Sequence, residues 1–315
     1  MTDLTLGILL WNQASEWRPM VDAAKRADEL GYDSLWAWDH IYAIYGDPYQ
    51  PIFEGYGLLA AYAMVTERVR LGLLVGANTF RNPGIVAKSI ATLDHLSGGR
   101  AICGLGGAWF ELEHTAHGID FGSGFGQRLD WLDESVGIVR RLLDGREVTF
   151  ESAKYRFEAA RHNPLPLQRH LPILIGGGGE RKTLRTVAKY ADTWNVFGTP
   201  ETVARKDGIL REHCADVGRD PGAITRTVGA KIVIRDSRAE AERVWAEQMA
   251  HNKTPREDWD GPETLWLGTV EEIAETILGY VGVGFEEVLV ELPAPYDMET
   301  IERLAGEVKP LVDRG

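Results

Sequence analysis

The sequence predicts an α/β fold and, within that class, a (β/α)8 TIM barrel in which eight parallel strands alternate with helices. Two observations lead to this prediction. Eight short apolar segments alternate with longer amphipathic segments along the 315 residues, and several short segments are apolar at nearly every position, as strands buried on both faces of a parallel sheet are. Eight strand–helix units in roughly 250 residues plus insertions fit a TIM barrel. A doubly wound sheet is the alternative, but it does not require so regular a count.

The elements follow from these periodicities. The predicted strands are Leu4–Leu10, Ser34–Trp38, Val69–Val75, Ala101–Gly106, Pro172–Gly176, Thr193–Phe197, Val228–Ile234 and Glu287–Leu292. The predicted helices are Glu16–Leu30, Ile85–Leu96, Gln127–Leu143, Arg181–Tyr190, Thr202–Val217, Ala239–Ala250, Val270–Val281 and Asp297–Val312. In the first helix Val21, Ala24 and Ala27 share one face, and Gly31 provides a C-terminal stop. No repeat or linker interrupts the series, so we expect a single domain over residues 1–315.

Three segments are too long for plain connections. Gly107–Gly126 and Asn252–Leu267 predict insertions after strands 4 and 7, and Val148–Leu171 begins with a pattern that predicts a short hairpin. Long loops in a compact domain are often functional. In a TIM barrel the loops that follow the strands build the active site, so the two insertions are candidate parts of the site.

Composition excludes several classes of protein. The formal net charge of −13 argues against a sequence-independent nucleic-acid binder, which needs a basic face. No apolar segment reaches the roughly 20 residues that span a bilayer, and Met1–Leu10 lacks the basic flank and cleavage site of a leader. Cys103 and Cys214 are predicted to be buried free thiols, which fits a reducing compartment. We therefore expect a cytoplasmic protein without nucleic-acid or membrane partners.

Asp39 and His40 follow the second strand, at the end of the barrel where active sites lie. Histidine titrates near neutrality, which makes His40 a candidate proton donor and Asp39 a candidate catalytic or cofactor-binding group. A loop cap beside an ordinary histidine is the alternative. After the third strand, Asn78 could bind the edge of a planar ring, or it could belong to a turn that enters the next helix at Pro83.

A glycine loop follows the fifth strand, from Gly176 to Gly179. Such a loop before a helix start presents several backbone N–H groups at the positive end of the helix dipole, where a phosphate is the usual ligand. Arg181 and Lys182 would add positive charge. The loop matches neither a P-loop nor a dinucleotide fingerprint, and a bare glycine turn is the alternative.

Glycines also end the fourth strand, where they would let a flat ligand approach the backbone. Glu113, His114 and His117 follow closely, but without an HExxH pattern or a second ligand group, so we expect no metal site. No Gly-x-Ser-x-Gly elbow is present, which argues against a serine hydrolase.

Taken together, these motifs resemble the luciferase-like family of flavin and deazaflavin TIM barrels, and in particular its deazaflavin-dependent branch. The resemblance runs from Leu6 to about Pro221, with a weaker tail at Gly268–Glu272. The segments that carry it are Leu35–His40, Arg68–Gly72, Phe80–Pro83, Ala91–Arg100, Ile175–Glu180 and Tyr190–Asn195.

The resemblance implies coenzyme F420 as cofactor, with FMN as the alternative. It implies an oxidoreductase that transfers a hydride between the deazaflavin and a small organic substrate with an activated C=C, C=O or C=N bond. An FMN-dependent luciferase-like monooxygenase is the alternative enzyme, and a non-catalytic binding protein on the same fold is a third possibility. A homodimer is also expected for such barrels.

The resemblance further assigns residues. Asp39 and His40 match a cofactor contact and a catalytic proton donor. The segment from Leu74 to Ala77 matches a bulge that often holds a non-proline cis peptide against the ring. The remaining matched cofactor contacts are Val75, Gly76, Ala77, Asn78, Gly107 and Ala108, together with the phosphate cradle of Gly177, Gly178, Gly179, Arg181 and Lys182.

The chain departs from two relatives in this family at substrate positions. Sugar-phosphate dehydrogenases carry an acid where this chain has Trp109, and secondary-alcohol dehydrogenases carry a glutamate where it has Gln13. We therefore expect a different substrate, held in a pocket that includes Gln13 and the aromatic residues Trp11, Trp38, Trp109 and Phe110. The alternative is that these tryptophans only fill the core.

Overall fold

The computed structural model describes residues 4–314; residues 1–3 and 315, which belong to the predicted domain 1–315, lie outside the described residues. The strands are β1 (Thr5–Leu10), β2 (Ser34–Ala37), β3 (Arg70–Leu73), β4 (Gly76–Ala77), β5 (Ala101–Gly106), β6 (Val148–Glu151), β7 (Arg156–Ala160), β8 (Ile173–Gly176), β9 (Thr193–Val196), β10 (Thr225–Ile234), β11 (Leu265–Gly268) and β12 (Glu287–Leu292). The helices are α1 (Trp17–Leu30), α2 (Gly55–Val65), α3 (Pro83–Leu96), α4 (Glu111–Ala116), α5 (Phe125–Leu143), α6 (Thr183–Tyr190), α7 (Pro200–Val217), α8 (Arg238–His251), α9 (Val270–Val281), α10 (Met298–Arg303) and α11 (Lys309–Arg314).

Within residues 4–314, eight parallel strands close into a barrel in the order β1, β2, β3, β5, β8, β9, β10 and β12, and β12 pairs with β1. The predicted TIM barrel is therefore confirmed, and each of the eight predicted strands is present with small shifts at its ends. The long strand β10 pairs with β9, β12 and β11 at successive positions, so β11 extends the wall at the end of the barrel where the strands terminate.

The strands bury both of their faces, as their apolar composition predicts. One buried cluster joins strands to the surrounding helices, for example through Ile8, Leu35 and Val290. A second buried cluster consists of the adjacent residues of the same strands, whose side chains point to the opposite face. Leu9, Trp36 and Leu289 are examples. Because successive residues of a strand point to opposite faces, the second cluster fills the barrel interior and forms a packed floor below the open end.

Helix α2 is missing from the sequence prediction, which placed no helix between strands 2 and 3. Its sequence is apolar on nearly every face and contains Gly55 and Gly57, so it has no amphipathic period to detect. Glu54 caps the helix by accepting a hydrogen bond from the Gly57 amide. A Cβ at Gly55 would lie 2.8 Å from the Trp38 carbonyl oxygen, so glycine lets the helix start pack against the end of β2.

The insertions differ in how well they were predicted. The hairpin of β6 and β7 is confirmed, whereas α4 and β11, inside the insertions after strands 4 and 7, were expected to be loop. The last predicted helix is divided into α10, a π-helical segment at Leu304–Val308, and α11. Cys103 and Cys214 are buried and free, as expected.

Candidate active site

A cavity of about 430 Å³ opens where the barrel strands end. Its walls come from the residues after β2, the segment between β3 and β4, the residues after β5, and the ends of β8, β10 and β12. Loops that follow parallel strands meet at this end of a TIM barrel. The cavity therefore brings together side chains that are far apart in the sequence.

A bulge between β3 and β4 forms one wall of the cavity. The Leu74–Val75 peptide bond is cis, as the resemblance suggested. The Val75 side chain fills the space between the ends of β5 and β8, because a Cβ at Gly106 would lie 2.5 Å from Val75 Cγ2 and a Cβ at Gly176 would lie 2.9 Å from Val75 Cγ1. The two glycines are thus required by the position of Val75, and together they leave a wall without projecting side chains.

Asp39 fixes this bulge in place. Its carboxylate accepts two hydrogen bonds from Arg81, at 2.6 and 2.9 Å, and a third from the Ala77 amide at 2.8 Å. Arg81 also donates to Glu54. Asp39 is buried and its oxygens are occupied by these donors, so its geometry is that of a positioning residue, while its catalytic role stays a prediction.

His40 pairs with Glu113, a residue that the sequence suggested only as an unlikely metal ligand. His40 Nδ1 lies 2.9 Å from Glu113 Oε1, and Glu113 Oε2 accepts the Ile41 amide at 2.8 Å. Glu113 is 1% exposed. The carboxylate orients the imidazole with Nδ1–H toward it, as in other His–carboxylate pairs, and the Nε2 atom makes no hydrogen bond to the described residues.

Helix α4 carries Glu113 into the site, and His114 anchors the helix. His114 Nδ1 donates to the Phe110 carbonyl at 2.8 Å, which leaves Nε2 to accept from the Thr79 hydroxyl at 2.6 Å. Burial lowers the pKa of His114. Because both ring nitrogens are occupied, His114 is a neutral link between the insertion and the bulge, and it is not available as a metal ligand.

The glycine loop after β8 extends the cavity wall outward. Gly177 lines the cavity with φ of 122°, a conformation that favours glycine. In the described part of the chain, the backbone amides of Gly178, Gly179 and Glu180 make no hydrogen bond. Lys206, which the sequence analysis missed, donates to the Gly178 carbonyl at 3.0 Å. Free amides before helix α6, with a lysine beside them, form an anion-binding geometry.

The side chains of Arg181 and Lys182 do not reach this cavity, contrary to the expectation of a compact cradle. They line a separate depression on α5 and α6 of about 320 Å³. Lys182 Nζ lies 2.7 and 2.8 Å from the carboxylate oxygens of Asp130, because helix α5 presents that acid directly opposite. Arg181 and Arg185 are exposed, and neither forms an ion pair with a described residue.

A charged cluster that the sequence did not reveal lies on the floor of the cavity. Lys231, from β10, lies 3.2 Å from Asp260 and 3.9 Å from Glu291. Tyr45 donates a hydrogen bond to Asp260 at 3.0 Å. The sequence did contain a sign of this cluster, because Lys231 and Glu291 interrupt otherwise apolar predicted strands. A charge in a strand that is buried on both faces is costly unless it is paired.

Four predicted pocket or cofactor residues are placed outside the cavity. Trp11 is fully buried behind Tyr45, with ring centroids 4.2 Å apart. Gln13 is also fully buried and ties two loops together by hydrogen bonds to Tyr45 and Asn252. Asn78 is buried and bonds to the Gly106 carbonyl through its backbone amide, and Phe110 packs against Trp109 behind the wall. None of these four side chains lines the cavity, so their predicted contacts with a ligand stay predictions.

Ten other predicted positions line the cavity, whereas Gly178 and Gly179 do not. The ten are Trp38, Asp39, His40, Val75, Gly76, Ala77, Gly107, Ala108, Trp109 and Gly177. In residues 4–314, no group of three or more histidine, cysteine or acidic residues is arranged to hold a metal ion. None of the helices in that range is long and apolar enough to cross a membrane.

Comparison with known proteins places this site in a family. A family model described as luciferase-like monooxygenase matches residues 5–265. The chain belongs to this family. Its first curated relatives, uncharacterized proteins of Mycobacterium bovis and Mycobacterium tuberculosis, are 32% identical over 174 residues, which is 55% of the chain and 60% of the relative. The chain thus matches less than two thirds of their length.

Other luciferase-like proteins match over nearly the whole chain. An F420-dependent glucose-6-phosphate dehydrogenase of Kineococcus radiotolerans is 29% identical over 93% of the chain and 92% of its own length. The solved structure of an F420-dependent secondary alcohol dehydrogenase with an F420–acetone adduct has a TM-score of 0.81 at 22% identity, covering 98% of the chain and 99% of that structure. A monooxygenase from Streptomyces bottropensis has the same TM-score, identity and coverage. At this identity the structural likeness establishes the fold only.

Proposed function

We propose that this protein is a coenzyme F420-dependent oxidoreductase that acts on a small organic substrate with an activated C=C, C=O or C=N bond. The observation that carries the proposal is the flat wall of Val75, Gly106 and Gly176 facing His40 across one cavity. The similarity to F420-dependent relatives over more than nine-tenths of the chain supports the choice of cofactor.

The residues present fit a planar ring. A Cβ at Gly107 would lie 2.8 Å from Leu129, and one at Gly106 or Gly176 would collide with Val75. The glycines therefore let Val75 and Leu129 pack closely against the strand ends, which leaves a wall without projecting side chains at these positions for a ring to approach. Val75, Gly76 and Ala77 would support one face of the ring, and the bulge that carries them is held by Asp39 and Arg81.

When bound, F420 supplies hydride transfer, and the protein supplies position and proton transfer. His40 Nε2 faces the cavity without a protein partner among the described residues, while Glu113 holds Nδ1. In the direction of reduction His40 donates the proton that the substrate gains, and in the direction of oxidation it accepts one. Trp38 and Trp109 cover the same side of the cavity and keep water away from the reacting groups.

The outer groups would hold the anionic parts of the cofactor. The free amides of Gly178 and Gly179, with Lys206 nearby, suit a phosphate. Arg181 and Arg185 line the separate depression at the start of helix α6, and neither forms an ion pair with a described residue, although Asp130, Asp133 and Glu134 line the same depression. F420 ends in an acidic polyglutamate tail, so these two arginines suit that tail. FMN has a phosphate but no such tail, and the phosphate site alone would serve it equally, which makes an FMN-dependent monooxygenase the second candidate.

The proposal is tested by anaerobic turnover. Reduced F420 is mixed with the protein and a panel of enones, ketones and imines, and the return of the oxidised deazaflavin absorbance is followed. We expect turnover with at least one acceptor and none with His40→Ala. Oxygen consumption with reduced FMN, without F420 turnover, would support the second candidate instead. A homodimer and a cytoplasmic location stay predictions, which light scattering and cell fractionation test.

A further inference from the structure

The charged cluster on the cavity floor has no part in the proposed proton transfer. Lys231 on β10 and Glu291 on β12 are cross-strand partners in the barrel, and Asp260 reaches them from the insertion after α8. All three line the cavity, although Lys231 and Glu291 are only 5% and 4% exposed. A cluster built into two barrel strands and open only to the cavity is positioned to meet whatever enters it.

The cluster is unbalanced, because two carboxylates share one ammonium group. Asp260 has Lys231 Nζ at 3.2 Å and the Tyr45 hydroxyl at 3.0 Å. The Trp11 side chain donates toward Glu291, and Lys231 Nζ lies 3.9 Å from its Oε2 atom, beyond hydrogen-bond distance. Burial raises the pKa of Glu291, and Lys231 opposes this. A buried carboxylate with so few donors is costly, so Glu291 keeps acceptor capacity for a ligand.

The rest of the cavity favours a cation as that ligand. Among the described residues that line it, Lys231 is the only lysine or arginine, and its charge is already shared between two acids. An anionic substrate would therefore meet net negative charge on the floor. The rings of Tyr45 and Phe197 face the Lys231 ammonium group, at 5.7 and 5.5 Å. Trp38 and Trp109 also line the cavity, and aromatic faces attract organic cations.

We propose that Glu291, with these aromatic walls, selects a small organic cation, a protonated amine or iminium, as the substrate of this cavity. The N–H of the cation donates to the Glu291 carboxylate and supplies a further, charge-assisted hydrogen bond. This assignment rests on the proposed function, because the substrate shares the cavity with the cofactor ring. A cationic substrate is also consistent with the two carboxylates on the cavity floor, which would repel a sugar phosphate.

Three probes of one shape test the charge preference without turnover. Cyclohexylammonium, cyclohexanol and cyclohexanecarboxylate are titrated into the F420-loaded protein and into the protein alone, and binding is measured by calorimetry and saturation-transfer NMR. We expect the cation to bind at least tenfold more tightly than the alcohol, which is the order expected for one charged hydrogen bond. We expect the carboxylate to bind most weakly.

Glu291→Gln should lower the affinity for the cation by roughly tenfold and leave the affinity for the alcohol unchanged. Glu263→Gln, an exposed acid near Asp260 in the same insertion, is the matched control and should change neither. Lys231→Met should raise the affinity for the cation because it removes the competing ammonium. Thermal unfolding of each variant verifies that it is folded.

Equal binding of the cation and the alcohol, tighter binding of the carboxylate, or no binding of the cation would each overturn the assignment. An unchanged cation affinity in folded Glu291→Gln would overturn it as well. F420 titration of the same samples separates this result from the proposed function. If the protein prefers the cation but does not bind F420, only the proposed cofactor is rejected. If it binds F420 but does not prefer the cation, only the proposed substrate class is rejected.

Discussion

At the scale of single residues, the site distinguishes groups that hold position from groups that face the cavity. Asp39 uses its carboxylate oxygens on Arg81 and the Ala77 amide. His40 uses one ring nitrogen on Glu113 and keeps the other toward the cavity. Asp39 and His40 are adjacent in the sequence but have different roles, which single substitutions can separate.

His40→Ala should lower kcat by roughly 10²- to 10⁴-fold, because it removes the group that transfers a proton. Glu113→Gln should cause a smaller loss of kcat, since the imidazole keeps its place but loses the carboxylate that orients it. Steady-state kinetics, with F420 affinity measured alongside, separates an effect on turnover from an effect on binding. Loss of F420 binding in both variants, or a larger loss of kcat in Glu113→Gln than in His40→Ala, would contradict these roles.

Asp39→Asn should destabilise the protein by roughly 1–3 kcal/mol and weaken cofactor binding, because the amide NH2 that replaces one carboxylate oxygen cannot accept from Arg81 and the buried pair loses its negative charge. Urea unfolding measures the first effect and F420 titration the second. Glu54→Gln is the comparison, because Glu54 is exposed and contacts Arg81 and the Gly57 amide at the surface, and it should cost less than about 1 kcal/mol. A larger loss in Glu54→Gln than in Asp39→Asn would contradict the assigned roles.

At the scale of the elements, the cavity wall depends on small residues at the ends of β5 and β8. Gly176→Ala should displace Val75, weaken F420 binding and destabilise the fold by roughly 1–3 kcal/mol, the usual cost of overpacking. Gly208→Ala is the matched control, since nothing lies within 4 Å of its added Cβ and it sits inside helix α7. Calorimetric unfolding and cofactor titration should show loss in the first variant and none in the second.

Helix α4 is attached to the bulge by a histidine whose burial lowers its pKa below the ordinary 6.5. The unfolded chain therefore binds a proton at His114 before the folded chain does, so stability is fully present above about pH 6.5 and falls as the pH drops toward the folded pKa. Urea unfolding between neutral and mildly acidic pH should show a steeper loss in the wild type than in His114→Asn. Parallel pH dependences would exclude His114 as the source.

The sequence predicted the eight barrel strands and the residues that follow them, because both depend on local pattern, but it missed helices α2 and α4 and strand β11. Asp39, Val75 and Gly177 each lie directly at a strand end, and barrel topology then brings them together. The roles of Glu113 and Asp260 were not predicted because both residues belong to insertions. The path of an insertion depends on tertiary contacts, such as that of His114 with Thr79. Lys231 and Glu291 are charged residues within apolar segments, and such a charge indicates a functional site. The alternation of side chains along a strand would then have placed both of them in the barrel interior.

At the scale of the whole molecule, the groups proposed to bind anions are separated from an acidic cavity floor. The free amides of Gly178 and Gly179, Arg181 and the α6 residue Arg185 lie outside the cavity, whereas the floor carries two carboxylates for one lysine. This polarity suits a cofactor with an anionic tail and a substrate without one. It argues, within the same fold, for a substrate different from a sugar phosphate.

The central claim is that the cavity binds the deazaflavin in preference to FMN, and titration of the two cofactors by tryptophan fluorescence tests it most directly. Trp38 and Trp109 line the cavity and report binding. We predict saturable quenching by F420, weakened in an Arg181→Ala and Arg185→Ala double variant, and much weaker quenching by FMN. Tighter binding of FMN, unaffected by the double variant, would contradict the account and favour the oxygen-dependent alternative.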